Sequence, residues 1–65
     1  MTDEQYYRDY AAGQLLGAAI ADRGIVDSKQ GAALFHSENP DASTALIEGY
    51  RSGFGNRKRQ IARGC

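Results

Sequence analysis

Residues 47–54 read Ile-Glu-Gly-Tyr-Arg-Ser-Gly-Phe, and their pattern of glycines and large apolar residues is the strongest indication of the fold. It places Gly49 and Gly53 four residues apart among large apolar side chains, and residues 10–20 repeat the arrangement with Gly13 and Gly17. Each glycine inside a helix costs about 1 kcal/mol relative to alanine, so four of them need a compensating contact. Small residues four apart let two helix backbones approach closely. We therefore expect the helices to pack through these glycines; the alternative is that the glycines break the helices.

Helical periodicity and capping residues predict an all-α fold, with residues 1–65 forming one small domain of three helices, long–short–long. Helix 1 is expected over about residues 3–23, after a capping box that begins at Thr2 and before a stop at Gly24. Helix 2 is expected over about residues 28–37, with Asp27 as its cap. The expected architecture is a small helical bundle or hairpin, in which helices 1 and 3 pack through strips of glycine and alanine.

Helix 3 is predicted over about residues 40–62, with Asn39 as its N-cap and Pro40 at its first position. Gly55 interrupts its pattern, but the apolar stripe resumes at Ile61. We therefore expect this helix to be weakened at Gly55 and to continue beyond it.

The small size of the chain favours association with another protein. Its 65 residues fall below the roughly 70–80 at which a single core supplies ample stability. Cys65 is the only cysteine and His36 the only histidine, which excludes an internal disulfide and argues against a zinc site. The remaining way to stabilise the fold is a protein partner or self-association as a homo-oligomer.

Tyrosines suggest where a partner would bind. Four of the six aromatic residues are tyrosines, whose apolar rings and water-tolerant hydroxyls suit interfaces. Tyr7 points away from its neighbouring tyrosines on a helical wheel, and Leu15 falls outside the main apolar stripe. With the large side chains of helix 3, the candidate partner-binding residues are Tyr7, Tyr10, Leu15, Tyr50 and Phe54.

Charge is distributed unevenly along a chain whose formal net charge is zero. All eight acidic residues lie between Asp3 and Glu48, whereas no acid follows Arg51 and the C-terminal end, residues 57–65, is basic. Such an end could hold phosphates, although no stacking aromatic is interleaved with its charges. The candidate nucleic-acid-binding residues are Arg51, Arg57, Lys58, Arg59 and Arg63.

Residues 49–57 read Gly-Tyr-Arg-Ser-Gly-Phe-Gly-Asn-Arg, which is similar to the G-Y-x-x-G-x-x-G-R stretch of bacterial ribosome modulation factors. Gly55 comes one place early for the third glycine, and Asn56 stands in its position. The similarity covers nine residues, and the chain lacks the tryptophans of that family. It implies ribosomal RNA as an alternative partner. In general character the chain also resembles short accessory proteins encoded by phages.

The sequence contains no enzyme constellation: no phosphate-binding glycine loop, no nucleophile with a recognisable base and no ligand cluster. We therefore expect no catalytic residue, metal, cofactor or small-molecule substrate. The acidic N-terminus is unlike a signal peptide, and the longest apolar run, Leu15–Ala21, is far shorter than the ~20 residues of a membrane span. A cytoplasmic location is expected, which suits a lone cysteine.

These patterns together predict a small non-enzymatic protein-binding module, such as an adaptor, an inhibitor or an assembly component, that acts by stoichiometric helix-mediated contact. A phage origin would suit such a role. The alternative is a nucleic-acid-binding or ribosome-binding protein that uses helix 3 and its basic end. In that case helix 2 and helix 3 could form a helix-turn-helix with helix 3 as the reader.

Overall fold

Three helices make up the computed structural model, which describes residues 3–25 and 27–64. They are α1 (Asp3–Asp22), α2 (Ser28–Glu38) and α3 (Thr44–Arg63). No strand occurs within those two ranges. The predicted all-α fold and its long–short–long order are confirmed. The predicted cap at Thr2 and the thiol of Cys65 lie outside the described residues.

The corner between α1 and α2 follows the prediction closely. Gly24 adopts the left-handed conformation with φ 87°, which a residue with a side chain rarely adopts, and its N–H donates to the carbonyl of Ala21. Ile25 then packs against the core. The carboxylate of Asp27 caps α2 by accepting from the N–H groups of Lys29 at 2.8 Å and Gln30 at 3.4 Å.

The predicted start of the third helix at Asn39 and Pro40 is wrong. Asn39 instead ends α2, because its backbone N–H and its side-chain amide both donate to the carbonyl of Phe35, at 2.9 and 3.1 Å. The true cap of α3 is Ser43, whose hydroxyl oxygen accepts from the N–H of Leu46 at 3.2 Å. The same hydroxyl donates to Asp9 of α1 at 3.1 Å, so a tertiary contact helps to select the cap. As predicted, α3 continues through Gly55; it ends at Arg63, just beyond the predicted end at about residue 62.

The helices α1 and α3 run parallel, side by side. Contacts between them advance together along both sequences: Gly49 lies against Tyr10, Gly53 against Gln14, and Arg57 binds Asp22. Of the two predicted arrangements the structure is therefore a bundle, since two helices of a hairpin would run antiparallel. The connection through α2 brings the chain back to the beginning of α1.

The core lies where α2 covers the α1–α3 pair. Phe35 of α2 is fully buried and stacks on Tyr50 of α3, with ring centroids 4.3 Å apart, and Tyr50 stacks in turn on Phe54 at 5.7 Å. Ile20 of α1 is buried in the same cluster. Gly31 of α2 leaves room for this packing, because a Cβ there would lie 2.7 Å from the Tyr50 hydroxyl.

Candidate protein-interaction face

The glycine strips bring α1 and α3 into backbone contact. A Cβ on Gly13 would lie 2.7 Å from the backbone nitrogen of Tyr50, and one on Gly17 2.5 Å from that of Phe54. On the facing helix, a Cβ on Gly49 would lie 2.8 Å from the carbonyl carbon of Tyr10. Such distances leave no room for a side chain at any of these positions. At the points of closest contact with α3, the inner face of α1 therefore consists of Gly13 and Gly17.

The middle of α1 is apolar on every side. Between Ala11 and Ala21 there is no charged residue, and Gln14 is the one residue with a polar side chain. Gln14 lies toward α3, where its side-chain nitrogen donates to the hydroxyl of Ser52 at 3.5 Å. A helix that is apolar all round is normally covered all round. In this structure α3 and α2 cover only one side of it.

The uncovered side, which we call the outer face of α1, carries two large apolar side chains among small ones. Tyr7 is 70% exposed and Leu15 is 74% exposed, the two large apolar residues in this state within the described part of the chain. Exposed alanines continue the face between and beyond them. Exposed apolar surface of this kind is a candidate site of interaction. The outer face of α1 consists of Tyr7, Ala11, Ala12, Leu15 and Ala19.

Tyr7 is supported by a small aromatic cluster at the beginning of α1. Its ring meets the ring of Tyr6 edge to face, with centroids 5.8 Å apart, and Tyr6 stacks on Tyr10 at 6.2 Å. The Tyr6 hydroxyl donates to the carboxylate of Glu48 on α3, and this bond raises the pKa of Tyr6 above its ordinary value. Tyr7 therefore rests on a ring that α3 holds in place, which lowers the entropy that ordering its side chain would cost.

The five predicted partner-binding residues lie in different environments, some exposed and some buried. Tyr7 and Leu15 lie on the exposed outer face. Tyr50 and Phe54, only 4% and 5% exposed, belong to the core and not to the surface, because the glycine contact turns their side of α3 toward Phe35 of α2. Tyr10 is half-buried in the aromatic cluster. We did not predict from the sequence that the exposed alanines belong to the outer face, although the lack of charged residues along α1 indicated it.

The predicted phosphate-binding residues do not form one free surface. Arg57 binds Asp22 at 2.7 Å, and Arg59 donates to the carbonyl of Gly55 at 3.2 Å. The ammonium of Lys58 lies 6.0 Å from the centre of the Phe54 ring. Arg51 is exposed at the groove between α2 and α3, and Arg63 is exposed in the last turn of α3.

A groove of about 430 Å³ runs between α2 and α3. Its apolar floor includes Ile47, Tyr50 and Phe54, and its rim carries Lys29 and Arg51. Burial raises the pKa of the Tyr50 hydroxyl, which has no hydrogen-bond partner among the described residues.

The described residues contain no group of three or more acidic, histidine or cysteine side chains that could hold a metal ion.

Comparisons of the chain with protein-family models, curated proteins and solved structures give no significant match. No helix within residues 3–25 and 27–64 combines the length and the apolar content of a membrane span.

Proposed function

We propose that this chain is a small non-enzymatic protein-binding module, an adaptor, inhibitor or assembly component, that binds its partner stoichiometrically through the outer face of α1. One observation carries the proposal: a helix that is apolar all round is covered on one side only. Burying an exposed leucine such as Leu15 contributes about 1.5–3 kcal/mol, which the free chain leaves unused. The alanines beside it would let a partner helix come close.

A second candidate is a nucleic-acid or ribosome binder that uses α3. A shallow groove at the basic end of α3, lined by Asn56, Arg59, Gln60 and Arg63, favours it. Against it, Arg57 and Arg59 already hold partners within the chain. The ion pair with Asp22 offsets the charge of Arg57, and the hydrogen bonds of Arg59 to neutral oxygens occupy part of its N–H donors.

Two variants of the tagged protein distinguish these functions in the native host. The first, Tyr7→Ala with Leu15→Ser, removes the large side chains of the outer face. The second replaces the basic residues of the C-terminal end with glutamine: Arg57, Lys58, Arg59 and Arg63. Gln30→Ala serves as the matched control, since Gln30 is exposed on α2.

The proposed function predicts that a protein, another chain or a differently tagged copy, co-purifies in stoichiometric amount. The outer-face variant should lose it, whereas the control should retain it and the glutamine variant should bind within about tenfold of the parent, as expected for rim charges. Circular dichroism checks that the variants stay folded. Co-purification of nucleic acid that only the glutamine variant loses would overturn the proposal in favour of the second candidate. That candidate also predicts an affinity that falls steeply with salt.

A further inference from the structure

We propose that the partner of the outer face of α1 is the same face of a second copy, packed antiparallel in a two-fold symmetric dimer. This inference rests on the proposed function and names the partner of that surface. It is carried by two observations, the order of large and small side chains along the face and the distribution of charge along the molecule.

Side-chain size alternates along one ridge of α1. Tyr7, Ala11, Leu15 and Ala19 follow each other at intervals of four residues, all of them exposed. Residues four apart form a continuous ridge on a helix, and such ridges pack into the grooves of a neighbouring helix. Large and small side chains alternate along this ridge. Leu15 lies between Ala11 and Ala19, and Tyr7 is followed by Ala11.

An antiparallel copy matches this alternation to itself. When Ala11 faces Leu15 of the second copy, Tyr7 faces Ala19 of the second copy, and the symmetry repeats both pairs. A parallel copy in register would instead place tyrosine on tyrosine and leucine on leucine, with the alanines facing each other across a gap. Packing to native density without voids therefore selects the antiparallel register.

Charge selects the same direction. Because α1 and α3 run parallel, one end of the pair carries Asp3, Glu4 and Asp9, with Glu48 brought alongside by its bond to Tyr6 and with Arg8 as a counter-charge. The opposite end has two counter-charges, Asp22 bound to Arg57 and Glu38 bound to Arg23. It carries five basic residues: Arg23, Arg57, Lys58, Arg59 and Arg63. An antiparallel dimer sets the acidic end of each copy beside the basic end of the other, where Glu4 faces an Asp22 whose charge is offset by its ion pair with Arg57. A parallel dimer would set like charges together, which opposes association.

The two-fold arrangement also accounts for the composition of α1. The inner face is covered by α3 within the chain, and the outer face would be covered by the second copy. A self-complementary patch closes the assembly at two copies. The segment from Ala11 to Ala21 would then be enclosed on both sides, as its lack of charge requires.

Sedimentation equilibrium of a Cys65→Ser protein tests the inference, and a size swap makes the test specific. Ala11→Leu adds apolar surface at an exposed position, so non-specific hydrophobic association would become stronger. The proposed register predicts the reverse, a dissociation constant raised about tenfold or more, because two leucines would collide at the interface. Leu15→Ala should also weaken the dimer. The double variant Ala11→Leu with Leu15→Ala should restore it, since large again faces small.

Orientation is measured separately with nitroxide labels attached to Glu4→Cys in the same background. In the proposed dimer position 4 meets position 22 of the other copy, so two labels at position 4 lie about 27 Å apart along the helices. A parallel dimer would hold them at about the distance between packed helix axes, roughly 10 Å. Labels at the short distance, or a double variant that stays dissociated, would overturn the inference.

The outcomes also separate this inference from the proposed function. A parent protein that stays monomeric at micromolar concentration, while its outer-face variant loses a different stoichiometric partner, refutes the dimer and leaves the protein-binding function intact. A monomer whose outer-face variant loses no partner refutes both.

Discussion

Gly49 of α3 lies directly against the backbone of Tyr10 of α1, so closely that a Cβ on the glycine would be 2.8 Å from the tyrosine's carbonyl carbon. Gly53 repeats the relationship one turn later, where a Cβ would be 2.5 Å from the Cα of Gln14. These two contacts fix the spacing of the two long helices. They also place the large side chains of α3 toward α2 and those of the outer face of α1 toward solvent.

Replacing Gly49 and replacing Gly55 with alanine should change stability in opposite directions. Both lie inside α3, but a Cβ on Gly55 would meet nothing nearer than the Arg59 guanidinium at 3.9 Å. Gly55→Ala should raise the free energy of unfolding by up to about 1 kcal/mol, the difference in helix propensity. Gly49→Ala should lower it by about 1–3 kcal/mol, because the helices must separate. Urea unfolding of both variants checks the signs, and two stabilised variants would show that the glycines are not a packing device.

Ser43→Ala should lower the free energy of unfolding by about 0.5–2 kcal/mol, the usual cost of removing an N-cap. Its hydroxyl both accepts from the N–H of Leu46 and donates to Asp9, so the variant loses the cap and the contact with α1. Ser37→Ala, at an exposed position of α2, is the matched control and should change stability by less than about 0.5 kcal/mol. Equal melting of the two variants would contradict the assignment of Ser43 as the cap of α3.

Stability should fall in alkaline solution because of Tyr6 and Tyr50. The pKa of each phenol is raised from its ordinary value of 10.0, for Tyr6 by the hydrogen bond to Glu48 and for Tyr50 by burial. The unfolded chain therefore loses these protons first. Their contribution is fully present below the unfolded pKa and is lost as the pH rises through the folded pKa. Ultraviolet titration alongside urea unfolding measures both effects.

The Tyr50→Phe variant provides the comparison for that pH series. It removes the buried phenol and keeps the ring that stacks on Phe35. Its stability should therefore fall less steeply than that of the parent above the ordinary tyrosine pKa. An identical alkaline decline in parent and variant would show that Tyr50 ionises as freely in the folded protein as in the unfolded chain.

The sequence predicts the contact between α1 and α3 because paired glycines inside helices have few other uses. It does not predict the direction of that contact, since a strip of glycines packs equally well against a parallel or an antiparallel neighbour. The start of α3 was missed for a related reason. Asn39 and Ser43 are both good capping residues, and the choice depends on the hydrogen bond from Ser43 to Asp9, which is distant in the chain.

Only part of the candidate site could be predicted from the sequence, because local patterns show exposure on α1 but not which residues α2 covers. Tyr7 and Leu15 are exposed because they fall outside the glycine stripe of α1, which a helical wheel already indicates. The burial of Tyr50 and Phe54 depends on where α2 packs, and no local pattern determines that. A large apolar stripe on a helix predicts that something covers it, but not whether the cover is another helix of the same chain or a partner.

Site-specific photo-crosslinking in the native host tests directly whether the outer face of α1 is a bound surface. A photoreactive residue in place of Leu15 should yield a protein adduct of defined mass, whether the partner is a second copy or another chain. The same residue in place of Ser37, exposed on α2, is the control and should yield little. Crosslinking at position 15 that is no stronger than at position 37, or that captures only nucleic acid, would contradict the account.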